Sequence, residues 1–271
     1  LINRFIKSYH KRGLLKTIQF PIRRMYRNSE LKDIEYYIRS KMSDLSMSEI
    51  RYKDSNNGMS YTNEVPHSEI LYQQIVDNVN GTPTNLAICE IGCNAGRHLK
   101  YMYDLGEQDF TGIEINPDAI DVLKEYYPEL AAHSTLSVGP AQKELTDFEE
   151  NKFDVVYTSA VLMHITGDNK RLFDEMARVS GDLIITYELD DFDQIPNNIL
   201  SESKNEFINE GVLQHLEPRN YKEIFEQRDF DQIHRIDAWE SSSSAEKLAG
   251  QAGGRTDVMS LRVFKNNKSQ D

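Results

Sequence analysis

The sequence predicts a doubly wound α/β domain: a mostly parallel sheet of seven strands, with an antiparallel hairpin at its C-terminal end and a helical extension before it. Three observations predict this. Five short apolar runs, Leu86–Ile91, Phe110–Ile115, Leu136–Val138, Phe153–Thr158 and Leu183–Tyr187, alternate with segments at helical spacing. Strands separated by crossover helices pair in parallel, in a sheet covered on both faces. Two later runs, Ile233–Trp239 and Val258–Phe264, are joined without a long helix, as an antiparallel pair is. Finally, 39% of the 271 residues are hydrophobic while Gly and Pro number only 14 and 8, which provides for a large core and excludes fibrous or low-complexity chains.

The N-terminal stretch sets Leu1, Ile2, Phe5, Ile6 and Tyr9 at helical spacing with cations between them, up to Pro21, the pattern of a basic amphipathic helix. A second helical pattern, Leu31, Ile34, Tyr37 and Ile38, leads into the polar linker Lys53–Gly58, so residues 1–58 read as an extension and residues 59–271 as the folded domain. After Pro66, Ile70, Leu71, Ile75, Val76 and Val79 form an apolar stripe that Gly81-Thr82-Pro83 ends. The crossover helices are expected at Arg97–Tyr103, Pro117–Tyr126, Ala141–Phe148 and Asp168–Val179. An insertion over residues 190–228 precedes the hairpin and closes on a helix, Lys222–Arg228, that Pro218 and Asn220 start.

Charge divides the chain. Residues 1–29 hold eight cations and no anion, which leaves 23 positive against 44 negative charges in the remainder, a body at −21. Such a body repels a phosphate backbone, so nucleic acid is not an expected partner. Residues 1–29 fit peripheral contact with an anionic membrane, a helix packed on the acidic body, or a targeting segment. Two cysteines, Cys89 and Cys93, are too few for a disulfide framework or a structural zinc site, and no apolar run approaches the roughly 20 residues of a spanning helix. The expected location is cytoplasmic, with the inner face of a membrane as the site of any peripheral contact. His67, His98, His133 and His234 have no acid or cysteine at ligand spacing, so no metal is expected.

The most informative segment is Glu90-Ile91-Gly92-Cys93-Asn94-Ala95-Gly96, a strand running into a glycine turn and then a helix. Glycine removes the Cβ that would stand between the backbone and a ligand, and Asn94 tolerates a positive φ. Glu114 lies near the end of the second strand, 18 residues beyond Gly96. An acid about 20 residues after such a turn is placed to accept from both hydroxyls of a ribose. The turn lacks the third-glycine spacing of pyrophosphate-binding dehydrogenase loops.

With Gly112-Ile113-Glu114-Ile115-Asn116 and Phe153-Asp154-Val155-Val156-Tyr157-Thr158-Ser159-Ala160-Val161-Leu162-Met163-His164-Ile165, this segment resembles the class I S-adenosylmethionine-dependent methyltransferases of the small-molecule branch, over roughly residues 66–265. The resemblance implies a Rossmann-like fold and S-adenosylmethionine as cofactor. Glu90 and the backbone from Gly92 through Asn94 to Gly96 would then hold the methionine part, Glu114 the ribose and Ile115 the adenine. Ser159, at the same edge, would be a further cofactor contact. Where the family carries glycine, this chain has Asn94. Where the family carries an acid for the adenine amine, it reads Val138-Gly139-Pro140-Ala141-Gln142, which leaves Ala141 and Gln142 for that contact.

Methyl transfer to an oxygen needs a base, and histidine is the fitting type. His164 follows the fourth strand at the cofactor rim, where it acts as base or ties the loop together. His215, the second candidate base, lies in the insertion beside Arg219 and Tyr221, groups able to bind a hydroxyl or carboxylate, and Glu188 reaches the same edge from the fifth strand. Arg219 and Tyr221 stand equally well as part of a helix start. The expected acceptor is a small polar molecule, and a basic amphipathic lead before such a domain resembles enzymes of surface-polysaccharide assembly, hence a sugar or lipid-linked saccharide. The alternative is a silent, cofactor-binding partner or regulator held at a membrane. The oligomeric state is not legible.

Overall fold

The computed structural model describes residues 62, 66–81, 85–165, 169–199, 216–239 and 258–270. The 1–58 extension, the linker before the domain, His215 with residues 200–215 of the insertion, and the serine and glycine runs between the last two strands lie outside the described residues.

Seven strands form one sheet: β1 Ala87–Ile91, β2 Asp109–Glu114, β3 Ser134–Val138, β4 Phe153–Ser159, β5 Ser180–Leu189, β6 Phe230–Asp237 and β7 Met259–Asn266, in the order β3-β2-β1-β4-β5-β7-β6. The pairs from β3 through β5 are all parallel, and β7 runs antiparallel to both β5 and β6. The sheet is therefore mixed as the sequence predicts. It also gains its hairpin in an interleaved way: β7 enters between β5 and β6, so the last strand in sequence is interior.

Alternation along the strands sends side chains to two helix layers. Ile88, Val155, Tyr157, Leu183, Ile185 and Val263 meet Ile70, Leu71 and Ile75 of the helix Pro66–Asn78, Leu99 and Met102 of Arg97–Asp104, and Ile120 and Leu123 of Pro117–Tyr126. On the opposite face Cys89, Ile91, Val156, Ile184 and Phe264 meet Leu172, Phe173, Met176 and Val179 of the helix Lys170–Val179, and Tyr221 and Phe225 of Tyr221–Glu226. Burying a Leu, Ile or Phe contributes roughly 1.5–3 kcal/mol each, so these two faces supply most of the favourable energy of the domain.

Boundaries differ from the sequence reading where local chemistry decides. Asn116 caps the helix Pro117–Tyr126 by accepting from the Asp118 amide at 3.1 Å, with Pro117 in the first turn, so that helix starts and ends as expected. The expected helix Ala141–Phe148 is an α-helix only over Ala141–Glu144 and tightens to a 3₁₀ turn at Leu145–Asp147. A short helix, Pro128–Ala132, was not read from the sequence, because two prolines eleven residues apart look like one helix followed by a loop. β6 begins three residues earlier than Ile233, since its first half alternates polar and apolar at a partly exposed edge. Among the described residues no helix is long and apolar enough to cross a membrane.

Candidate active site

The order β3-β2-β1-β4 places the switch of crossover direction between β1 and β4. Open α/β sheets bind ligands in the crevice at that point, beyond the carboxyl ends of the strands. The turn after β1 shapes this crevice. Gly92 and Gly96 adopt φ of 75° and 77°, and Asn94 sits between them at φ 49°, all in the left-handed region. The Gly92 and Cys93 amides both donate to the Ile113 carbonyl, at 2.7 and 3.1 Å, and the Ala95 amide donates to the Asn94 side chain at 2.7 Å. A Cβ on Gly92 would lie 2.3 Å from Cγ2 of Val161, so the turn and the segment after β4 touch only because position 92 has no side chain.

Glu114, 1% exposed at the end of β2, ties the turn to the next loop. One carboxylate oxygen accepts from the Asn94 amide at 2.9 Å, the other from the Asn116 amide at 2.8 Å. Burial pushes its pKa up, and the backbone amides of Asn116, Asn94 and Ile115 pull it back. A carboxylate has about four acceptor positions, so each oxygen retains capacity for one ribose hydroxyl.

Gly92, Glu114, Ile115, Ala141 and His164, all singled out from the sequence, line one cleft together with Ile91, Ile113, Ala160, Val161 and Ile165. The cleft is open at its mouth, and its empty space, with the solvent at the mouth included, is about 490 Å³. Its walls are largely apolar, suited to a flat ring. Gln142 stands next to Ala141 with its buried Oε1 lacking a hydrogen-bond partner among the described residues. Asn94 and Gly96 shape the turn rather than line the cleft, and Ser159 is the half-buried last residue of β4.

Residues 160–165 form one wall and carry His164. Burial lowers the His164 pKa from 6.5 to about 4, which leaves a neutral imidazole at the rim. Glu188, Arg219 and Tyr221, expected to meet an acceptor, are turned inward instead. Glu188 is fully buried and its carboxylate accepts from the Val161 amide at 2.9 and 3.1 Å and from Met163 at 3.2 Å. The Arg219 guanidinium, 8% exposed, donates to the carbonyls of Leu162, at 2.5 Å, and Ile165, and its charge lies over the Phe173 ring. Tyr221 is 1% exposed and packs in the core beneath them. For Glu188 and Arg219 the physical reason is shared: the short 3₁₀ turn Leu162–His164 has amides and carbonyls that a longer helix would pair, and these two buried polar side chains take them.

Glu90, expected near the methionine part, points to the opposite face of β1. It is 1% exposed with one carboxylate oxygen unpartnered among the described residues, and burial raises its pKa to about 8. Beside it lies a polar cluster that the sequence reading missed. The rings of His67 and His98 are 4.8 Å apart, His67 is 5.5 Å from Tyr187, and His98 Nδ1 is 2.8 Å from the Ser68 hydroxyl. Its signal was present: His67 and His98 occupy the first turns of the two helices flanking β1, so both start at one edge of the sheet.

Burial, with Arg97 nearby, lowers the His67 pKa from 6.5 to about 3, and the ring stays neutral where an unfolded chain would be charged. Between pH 6.5 and 3 the unfolded state therefore binds more protons, and this residue makes stability fall as pH falls, by at most about 1.4 kcal/mol per pH unit. Wild type is expected to lose stability relative to His67→Asn as the pH drops from 6.5 to 4, measured by thermal melting of both chains. Parallel curves would show that His67 does not titrate differently on folding.

Among the described residues no group of three or more His, Cys, Asp or Glu is arranged to hold a metal ion, and both cysteines are buried free thiols. The family model of the methyltransferase domain matches residues 89–183, and a search of curated sequences returned no significant match. The chain is similar in structure to geranyl diphosphate C-methyltransferase from Streptomyces coelicolor A3(2), solved with Mg2+, geranyl diphosphate and S-adenosyl-L-homocysteine. That pair shares 13% identity and a TM-score of 0.53, over 73% of this chain and 78% of the other. It is similar to magnesium protoporphyrin IX methyltransferase from Synechocystis PCC 6803 with bound S-adenosylhomocysteine, at 14% identity and a TM-score of 0.53, over 74% and 84%. The MccD protein gives 14%, a TM-score of 0.55, and 75% and 99%. At these identities the neighbours establish the fold, that of the class I methyltransferases.

Proposed function

We propose, from a methyltransferase domain at residues 89–183 on this fold, that the chain transfers a methyl group from S-adenosylmethionine to an oxygen of a small polar acceptor. A saccharide or lipid-linked saccharide is the first acceptor class to test. The observation that carries the reading is the cleft itself, where a side-chain-free turn at Gly92, an acid at Glu114, apolar walls at Ile115 and Ala141, and His164 meet on one surface. The fit to this cofactor rests on the chain's own atoms: the spare acceptor capacity of Glu114 on the cleft, and the unpartnered oxygen of Gln142 beside Ala141.

When bound, the cofactor supplies an electrophilic methyl group on a sulfonium. Glu114 would hold the ribose by accepting from its hydroxyls, and Ile115 with Ala141 would pack on the adenine. Alignment of nucleophile and electrophile is the main contribution such a site makes, since an in-line displacement needs the two atoms held near contact. His164, neutral by burial, takes the proton of the acceptor hydroxyl. Residues 1–29 bring eight cations to an anionic surface and hold the domain near a membrane-borne acceptor.

Calorimetry with S-adenosylhomocysteine, and a saccharide screen read by a 14 Da gain in mass, test the reading; binding without any transfer would favour the silent-partner alternative. His164→Ala is expected to lower turnover by about 10² to 10⁴ at unchanged cofactor affinity. The acidic limb of the wild-type profile should lie near pH 4 rather than 6.5, because protonation below that point removes the base. Parent-like turnover in His164→Ala would move the role to His215 or to an acceptor that needs no base.

A further inference from the structure

Two buried groups of opposite charge grip one short segment from its two backbone sides. Glu188 of β5 accepts from the amides of Val161 and Met163, while Arg219 donates to the carbonyls of Leu162 and Ile165. The segment between them is the wall of the cleft, with Ala160, Val161, His164 and Ile165 on its surface. The same point joins both ends of the excursion that leaves β5. Asp190 forms a backbone bridge with Arg219, the Asp191 amide donates to the Arg219 carbonyl at 3.1 Å, and the Glu217 amide donates to the Met163 carbonyl at 2.8 Å. The chain thus departs and returns against the wall of the cofactor cleft.

We propose that Glu188 and Arg219 are positioning residues that fix the wall segment 160–165 against residues 190–191 and 217–219, so that cofactor binding depends on this pair of buried charges. The part concerning the cofactor rests on the function proposed above. Removing Glu188 leaves the Val161 and Met163 amides without partners, and removing Arg219 leaves the Leu162 carbonyl to the Ile165 amide alone and the Ile165 carbonyl to the Asn169 side chain alone, so a segment so released samples other conformations. Residues that act on a site through its neighbours in this way change its affinity by about 2- to 30-fold when replaced.

Arg228 provides a matched control. Its guanidinium lies over the same Phe173 ring at the same 5.8 Å as that of Arg219, yet it donates to Asp174 and the Ile224 carbonyl and touches nothing of the wall. Arg219→Met and Glu188→Gln are expected to speed hydrogen exchange at the Val161 and Met163 amides, with little change at Val156 of β4, whereas Arg228→Met leaves all three as they were. Both wall variants should also bind S-adenosylhomocysteine about 2- to 30-fold more weakly than Arg228→Met. Arg219→Lys, able to reach one carbonyl rather than two, should fall between. Exchange at Val161 and Met163 no faster than in Arg228→Met, or an affinity equal to that of the control, overturns the proposal. If the wild-type chain binds no S-adenosylhomocysteine, the proposed function falls, and the exchange comparison alone decides whether the two charges hold the wall.

Discussion

Glu114→Ala is expected to weaken S-adenosylhomocysteine binding by about 10- to 150-fold, read by calorimetry against wild type. Hydrogen bonds to a charged acceptor contribute about 1.5–3 kcal/mol in mutational series, and each 1.4 kcal/mol is a factor of ten. The carboxylate does two jobs at once, which is why the loss should sit toward the upper end. It faces the cleft, and it also takes the Asn94 and Asn116 amides at 2.9 and 2.8 Å, so its removal frees the glycine turn as well as the ribose contact. Glu114→Gln separates the two. A carboxamide keeps one accepting oxygen but turns an NH₂ toward a backbone N–H, so one side of the turn stays held while the paired contact to two hydroxyls is broken. An intermediate affinity in Glu114→Gln is expected. Unchanged affinity in Glu114→Ala would mean that the cleft does not take a nucleoside at this acid, and the proposed function would go with it.

The parts of the molecule that were legible are those whose sequence signal is local. The turn Gly92–Gly96 and the acid at Glu114 were readable because positive φ restricts residue types and because strand, turn and helix follow one another along the chain. The sheet was readable for the same reason, down to Asn116-Pro117 as a helix start. What failed needed knowledge of partners distant in sequence. Glu188 and Arg219 looked like free polar groups at the edge of the sheet, whereas their hydrogen bonds go to residues 25 to 27 and 54 to 57 positions away. The polarity of Arg219 marked a buried obligation of the backbone, not an exposed contact. Glu90 was assigned by analogy with its turn, yet strand alternation sends it to the face of Ile88, among His98 and Tyr157. The cluster around His67 escaped because its members come from two helices and two strands, and no spacing in one segment reveals it.

Gly92→Ala is expected to cost roughly 2 to 5 kcal/mol of stability and to abolish cofactor binding at concentrations that saturate wild type. Two causes add. An L-residue held in the left-handed region costs about 1–2 kcal/mol, and Gly92 sits at φ 75°. Forcing an extra methyl into a packed contact costs about 1–3 kcal/mol more, and here the new Cβ meets Val161 Cγ2 at 2.3 Å and Cγ1 at 3.0 Å. Val161 cannot simply swing aside, because it is β-branched and its amide is held by Glu188. A loss of this size is a large share of the 5–15 kcal/mol typical of a domain and should lower the melting temperature by about 5 to 20 °C. The double variant Gly92→Ala with Val161→Ala isolates the steric part. It removes both Cγ atoms that the new methyl strikes and leaves the backbone strain, so the two substitutions should couple favourably by about 1–3 kcal/mol. Additive losses would show that the methyl finds room without Val161. A single variant that melts within about 1 kcal/mol of wild type and still binds S-adenosylhomocysteine would show that the approach of turn and wall is not what shapes the cleft.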